Sequence, residues 1–469
     1  MNRQAHPAPW LLVPAAALLT MTVAGCALQS PPAGEDLNRD AYGDMVPPGA
    51  WVAPGAATGP VETGWLATFG DERLNALVAE AITRNPDLRA AAAQVEQAAA
   101  YVRIAGSSVY PAISLLGKSS GGDGSGSEPL NAAILSVAWE LDVWGRVRYG
   151  ARAAEDQFAA ASADLSYAQQ SIAALVVRGW VLACEAALQR QLAAESLASA
   201  GQLLSLASDR QRVGIGSELE VRLARGNVDT FRDVVRQLDL GKEQALRALE
   251  LLVGRYPSAE LQAATALPQV AAEVPAGVPS ELLERRPDVI AAERRVAAAF
   301  NLARQAEAAR LPQFTLTGTG SYLESDILVL QDVDNPLWGL GLGLVMPLYA
   351  GGALQAQVEL RTAEQKEAVA RYASVGLKAF GEVEGALASE RAALERQSIL
   401  ASQVSEGERA LELENIRYRV GRTDLRSVAQ QQLAVYGARS SLLRMQAERV
   451  AQRVNLYLAL GGGFEKAGA

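Results

Sequence analysis

The sequence predicts a mainly α protomer built twice over: two long antiparallel coiled-coil hairpins and four short strands of membrane-barrel type. Three observations predict it. First, the chain repeats itself. Asn85-Pro86-Asp87-Leu88 returns as Arg286-Pro287-Asp288-Val289, and Pro111-Ala112-Ile113-Ser114-Leu115 as Pro312-Gln313-Phe314-Thr315-Leu316, both 201 residues later. Further on, Arg212-Val213-Gly214 matches Arg419-Val420-Gly421 after 207 residues, so the second copy carries six extra residues in one loop. A period this long is a duplicated domain, not a stacked solenoid. Second, no proline occurs from Leu130 to Tyr256 or after Pro347, and both stretches are rich in Ala, Leu, Gln and Arg, which favour helix. Third, each copy holds a pair of segments whose apolar residues alternate with period two.

Residues 1–25 resemble a lipoprotein signal peptide. Arg3 supplies the positive end, Trp10 to Val23 the apolar stretch, and Val23-Ala24-Gly25-Cys26 a lipobox, with Cys26 as the residue to be lipidated. Residues 26–70, rich in Pro and Gly from 27 to 64, read as an extended arm behind that anchor. The first repeat is assigned to 71–256. It opens with a helix from Asp71 and a second from Pro86, capped by Asn85, that ends before Pro111. A strand pair is expected near 112–140 and a hairpin tip near 214. Residues 257–284 read as a linker and 285–461 as the second repeat, with a strand pair near 313–347 and a tip near 421. Residues 462–469 form a tail.

The second strand pair is the clearer one. Phe314, Leu316 and Tyr322 share one face and Thr315, Thr317, Thr319 and Ser321 the other, while Trp338, Leu340, Leu342, Leu344 and Met346 alternate with Gly339, Gly341 and Gly343. Nine or ten alternating residues with aromatic ends suit a barrel strand with one lipid face. Gly341, on the polar face, is expected to accept a small polar side chain. The helices that follow would run for roughly 65 residues, on the order of 100 Å at helical rise. Their returning partners show three-and-four spacing at Val228, Phe231, Val235, Leu238, Ala245, Leu249 and Leu252, and again at Tyr436, Leu443, Ala447, Val450, Val454 and Tyr457.

At the tips, Arg212 and Arg419 stand at helix C-termini and Gly214 and Gly421 suit the left-handed cap. Ser217 with Glu220 forms a capping box, and Thr423 or Asp424 would cap the second return. Four strands leave two bare edges, which no bilayer tolerates, so several chains must contribute to one closed barrel. Three would give twelve strands.

Composition excludes other classes. The charge of −9 has its signs interspersed, which argues against nucleic acid. The single histidine, His6, lies in the signal segment, so the remaining chain lacks the commonest general base and metal ligand. No metal-binding, cofactor-binding or nucleophile–base motif is present, which points away from an enzyme. No run of 18 apolar residues suggests a transmembrane helix.

Several motifs resemble the TolC-like outer-membrane factor family, in its OprM/NodT-type efflux lipoprotein branch. They are Trp139-Glu140-Leu141-Asp142-Val143-Trp144-Gly145-Arg146, Leu283-Glu284-Arg285-Arg286-Pro287-Asp288-Val289, Pro347-Leu348-Tyr349-Ala350-Gly351-Gly352 and Leu456-Tyr457-Leu458-Ala459-Leu460-Gly461-Gly462-Gly463. The resemblance implies a homotrimer with a twelve-stranded barrel among outer-membrane lipids, continued by an α-helical tube in the periplasm. It implies a passive channel of a tripartite efflux system, coupled through a periplasmic adaptor (membrane fusion protein) to an inner-membrane pump of RND type. The adaptor would engage the tips at Arg212-Val213-Gly214 and Arg419-Val420-Gly421. The periplasmic gate would involve Tyr418, Asp424, Arg426 and Gln430, of which Arg426 departs from the acidic or apolar residues usual there. Arg426 either faces the axis with Asp424 as counter-charge or points outward as a solvated residue. The alternatives are an exit duct for type I protein secretion, a periplasmic adaptor lipoprotein and a purely structural coiled-coil lipoprotein.

Overall fold

The computed structural model describes residues 28–45, 47–54, 59–61, 63–120, 130–270, 274–325 and 337–464. Cys26 and the signal segment lie outside the described residues. In chain order the elements are α1 (Gly34–Tyr42), α2 (Glu72–Arg84), α3 (Pro86–Ser107), β1 (Ala112–Ser120), β2 (Leu130–Leu141), α4 (Arg146–Arg212) and α5 (Glu218–Val253). The second half continues with α6 (Pro279–Arg285), α7 (Pro287–Ala308), β3 (Gln313–Ser325), β4 (Leu337–Val345), α8 (Ala353–Arg419) and α9 (Leu425–Ala459). The arm expected to be extended thus holds a nine-residue helix, α1, with Leu37 buried and Asn38 accepting a hydrogen bond from the Tyr372 hydroxyl at 2.9 Å.

Two compact units interleave along the chain. The first takes the described parts of 1–45 with 93–162 and 291–374, and contains the sheet. All four strands form one antiparallel sheet in the order β1-β2-β3-β4. Ile113 stands opposite Val137, Leu115 opposite Leu135, Trp139 opposite Leu316, and Leu316 opposite Leu342. Directly opposed residues share a face, so these positions build one apolar surface. Its members Ile113, Leu115, Trp338, Leu340 and Leu342 are exposed. The opposite face is hydroxylated: Ser114 and Ser136 share a hydrogen bond of 2.7 Å, and Thr315, Thr317 and Thr319 stand opposite Gly343, Gly341 and Gly339. Among the described residues β1 and β4 each have a single neighbour, so each presents a free edge.

The glycines of the sheet are not equivalent. The Trp338 ring lies over Gly320, where a Cβ would come within 2.7 Å of it. A Cβ at Gly341 would stand 2.9 Å from Thr317 Oγ1, which donates to the Gly341 carbonyl at 3.3 Å. A small side chain at Gly341 therefore needs the exposed Thr317 hydroxyl to turn aside. Gly343, whose Cβ would be 3.6 Å from the Thr315 carbonyl oxygen, is the open position on that face.

The Trp139 to Arg146 motif is a strand-to-helix junction held by side chains. The Trp139 indole donates to the Val109 carbonyl and the Trp144 indole to the Pro312 carbonyl, both at 2.8 Å. Glu140 accepts from Arg146 Nε at 2.9 Å. Asp142 accepts from the backbone N–H groups of Val147 and Arg148, satisfying first-turn donors of α4 that have no partner within the helix. Gly145, at φ +81°, makes the turn.

The second unit takes described residues of 46–92, 163–290 and 375–469. Its core holds Trp65, stacked at 9° on Tyr457 and donating to the Gly462 carbonyl, and Trp180, whose indole donates to Asp71 Oδ2 at 2.8 Å. Asp71 also caps α2. One window of α4 is apolar enough on average to cross a membrane. Half of that window is buried in the chain's own packing, and Val176, Val177, Trp180 and Val181 of α4 belong to the core.

The duplication is visible in hydrogen bonds. Asn85 Nδ2 donates to the Leu252 carbonyl at 2.9 Å, and Arg286 Nη1 donates to the equivalent Ala459 carbonyl at 3.1 Å. Each bond ties the start of a proline-initiated helix to the end of a returning one. Asn85 uses its Oδ1 to cap α3 through Asp87 and Leu88 N–H. Arg286 is buried and bonds instead to Asp288 and, at 2.7 Å, to Glu382. Burial opposes its charge, but the hydrogen bonds and charges of Asp288 and Glu382 outweigh that and hold its pKa above the usual arginine value.

Removing the longer arm should therefore cost more. Arg286→Met leaves Asp288 without this partner and Glu382 with only Lys378, at 3.7 Å, and should cost near the lower end of about 3–5 kcal/mol, because both carboxylates reach solvent. Asn85→Ala loses a cap and should cost about 1 kcal/mol. Thermal melting of the detergent-solubilised variants checks this order, and an equal or reversed effect contradicts it.

Candidate functional site

The two hairpin tips fold by the same local rules. α4 ends at Arg212, and Gly214 (φ +80°) takes the left-handed cap; α8 ends at Arg419, and Gly421 (φ +75°) does likewise. The N–H of Ile215 reaches back to the Arg210 carbonyl at 2.9 Å and that of Arg422 to the Arg417 carbonyl at 2.8 Å, using carbonyls the helix ends leave free. α5 starts from a complete capping box between Ser217 and Glu220. α9 starts from Asp424, whose carboxylate accepts from the Ser427 N–H and hydroxyl at 2.8 and 2.9 Å. The backbone N–H of Ser427, then its hydroxyl, holds the Asp424 carboxyl below the usual range, with the nearby Arg426 adding to this.

Behind the turns lies an apolar knot. Leu203, Ala207, Val221, Ala224, Tyr418, Leu425 and Val428 bury one another, drawing on all four helices of the two hairpins. Tyr418 is only 1% exposed, with the Arg210 guanidinium 4.9 Å above its ring. Burial, and then the Glu220 charge, pushes its phenol above the ordinary value. Its hydroxyl has no hydrogen-bond partner among the described residues. The residue expected to close over a constriction is therefore part of the tip core, and would have to leave that packing to act as a plug. Arg426 and Gln430, four apart on α9, are both exposed, as is Asp424.

Arg212, Val213, Gly214, Arg419, Val420 and Gly421 are all at the surface. Ile215 and Leu219 add exposed apolar area to the first tip, which the sequence reading passed over. Arg210 and its place over Tyr418 were also not anticipated. The aligned pattern Arg-x-Arg, at Arg210 and Arg212 and again at Arg417 and Arg419, was the available signal.

Further from the tips, the seam between hairpins carries polar residues. Asn227 Nδ2 donates to Gln432 Oε1 at 3.0 Å, and Gln432 Nε2 to Ser199 Oγ at 3.1 Å; both amides are buried. Buried polar pairs in a coiled-coil seam set its register. Cys184 is also buried, which pushes its thiol up to about 11 and leaves it a poor nucleophile.

A family model described as outer membrane efflux protein matches residues 77–255 and 278–462, the two halves of the duplication. The chain belongs to the outer membrane efflux protein family. Relatives match over nearly their whole length. The pyoverdine export outer membrane protein OpmQ of Pseudomonas putida is 30% identical, over 95% of this chain and 96% of that protein. The toluene efflux pump outer membrane protein TtgF of Pseudomonas putida is 29% identical, over 95% and 96%. The cation efflux system protein CusC of Escherichia coli is 27% identical, over 87% and 90%. Among solved structures, the outer-membrane channel OprN superposes with a TM-score of 0.79 at 26% identity, covering 91% of this chain and 100% of that one. The chain thus shares its fold and family with efflux channels of the outer membrane.

The position of Tyr418 predicts the behaviour of its variants. Tyr418→Phe removes an unbonded hydroxyl and should leave both stability and channel conductance unchanged. Tyr418→Ala opens a cavity in the tip core and should cost about 3–5 kcal/mol. A Phe variant with altered conductance and unaltered melting would mean that the hydroxyl takes part in closure.

Proposed function

We propose that the chain is the passive exit duct of a tripartite efflux system, assembled as a homotrimer. The observation that carries this reading is the four-stranded sheet with one exposed apolar face and two free edges. Placed in lipid, every edge N–H and C=O must find a partner, and neighbouring copies supply one without any change in strand chemistry. Three copies give a closed barrel of twelve strands, with the Thr–Gly–Ser face inward and the Leu–Trp face toward lipid. Cys26 would carry the lipid anchor, an addition to the hold of the barrel itself.

The cargo is set elsewhere. Relatives of nearly equal identity export pyoverdine, toluene or cations, three unlike chemistries, so discrimination belongs to the pump and the duct admits what it is given. A periplasmic adaptor would dock on the surface tips, at Arg212, Val213, Gly214, Arg419, Val420 and Gly421, and link the duct to an inner-membrane pump of RND type. No catalytic step is part of this reading. In the resting duct Asp424, Arg426 and Gln430 form the closure around the axis, with Tyr418 as its packed support, and adaptor binding spreads the second hairpin outward and frees these side chains.

Single-channel recording in planar bilayers tests the duct and its gate together. The purified protein should conduct. Arg426→Ala should raise conductance and reduce any preference for anions. Asp424→Asn keeps the helix cap while removing the charge, and should strengthen that preference. A protein that does not conduct is not a duct. Conduction indifferent to both substitutions would place Arg426 on the outer, solvated side.

A further inference from the structure

The two tips share a backbone but not a charge, and the difference is ordered. In residues 207–219, Arg210 and Arg212 are balanced by Asp209 and Glu218. Arg212 pairs with Asp209 at 2.6 Å, Glu218 pairs with Arg222 at 3.0 Å, and Arg210 lies over the Tyr418 ring. In the equivalent residues 414–426, Arg417, Arg419, Arg422 and Arg426 face only Glu414 and Asp424. Glu414 is taken by Arg417 at 3.1 Å, and Asp424 is occupied as the cap of α9. Arg419, Arg422 and Arg426 are exposed and form no ion pair among the described residues.

The location of Arg426 works against stability. A helix N-terminus carries partial positive charge and favours acidic residues. α5 follows that rule, with Glu218 and Glu220 in its first turn; α9 has an acid only at its cap, Asp424, and carries Arg426 in the turn itself. Packing does not require the arginine, because the buried positions of this turn are Leu425 and Val428. Beside the charges, the tips offer matching apolar knobs, Val213 at 66% and Val420 at 64% exposure.

We propose that the second tip is a docking point for an acidic helical hairpin of the adaptor, whose carboxylates engage Arg419, Arg422 and Arg426 while its apolar turn seats on Val420. The first tip engages the same hairpin through Val213, Ile215 and Leu219 alone. The two docking points of each chain therefore differ in strength, and only the second is sensitive to salt. This rests on the reading that the tips are where the adaptor binds.

Two synthetic helical-hairpin peptides, equal in apolar residues and differing only in glutamate or lysine at their surface positions, provide the probe. They are titrated by fluorescence anisotropy against the full protein in detergent. The acidic hairpin should bind about tenfold more tightly than the basic one at low salt, an advantage that shrinks in about 0.5 M NaCl. The triple variant R419Q/R422Q/R426Q should abolish the advantage, and R419K/R422K/R426K should keep most of it. V213D/V420D should weaken both peptides. Equal binding of both peptides to the wild type, with loss in V213D/V420D, would overturn the charge proposal and leave tip docking intact. Binding of both peptides unaffected by V213D/V420D would overturn tip docking itself. A triple Gln variant that alters anion permeability but not acidic-hairpin binding would assign the arginines to passing anions and overturn the proposal.

Discussion

The structure depends on one constraint: in hydrocarbon, a backbone N–H or C=O without a partner costs several kcal/mol, on the order of 2–7 for each amide group. The sheet of this chain satisfies β2 and β3 on both sides and β1 and β4 on one. Its outer face is committed to an apolar environment by Trp338, Leu340 and Leu342, so solvation by water is no remedy for the edges within the membrane. Closure by further copies answers the constraint. Duplication suits it, because each copy brings a strand pair together with the hairpin that continues from it.

Duplication also sets what can diverge. The two copies keep the bond between the start of a proline-initiated helix and the end of a returning one, made by Asn85 in one and Arg286 in the other. The Arg286 site holds an ionic cluster with Asp288 and Glu382, whereas Asn85 uses its side chain to cap. Similarly, Arg453 is buried against Glu390 in the second copy where Leu246 packs beside Ala183 in the first. At the tips the divergence is in charge. The shared backbone is preserved by glycines at positive φ, and the side chains around it are free to differ.

Much of this was legible in the sequence, for physical reasons. Period two in Trp338 to Leu344 and proline-free stretches after Leu130 and Pro347 report local geometry directly. Caps at Asn85, Ser217 and Asp424 and turns at Gly214 and Gly421 are also local, and each appears as expected. What escaped was tertiary. Tyr418 sits one residue before a helix end, a position equally compatible with a plug and with a core residue, and only the approach of Leu203, Leu425 and Val428 decides it. The crowding at Gly341 depends on Thr317, across a register that sequence alone does not show. The helix at Gly34–Tyr42 was missed for a related reason, because it depends on what the rest of the chain packs against Leu37.

The central claim is that the free edges of β1 and β4 are paired between copies in the working protein. Residue-resolved amide hydrogen exchange on the assembled protein in lipid tests it most directly. Within one chain, alternate amides of β1 and β4 point away from β2 and β3, and edge amides without partners exchange quickly. Interchain pairing predicts that these outward amides exchange as slowly as those of β2 and β3. Rapid exchange at the outward amides of both edge strands, with β2 and β3 protected, would contradict the account.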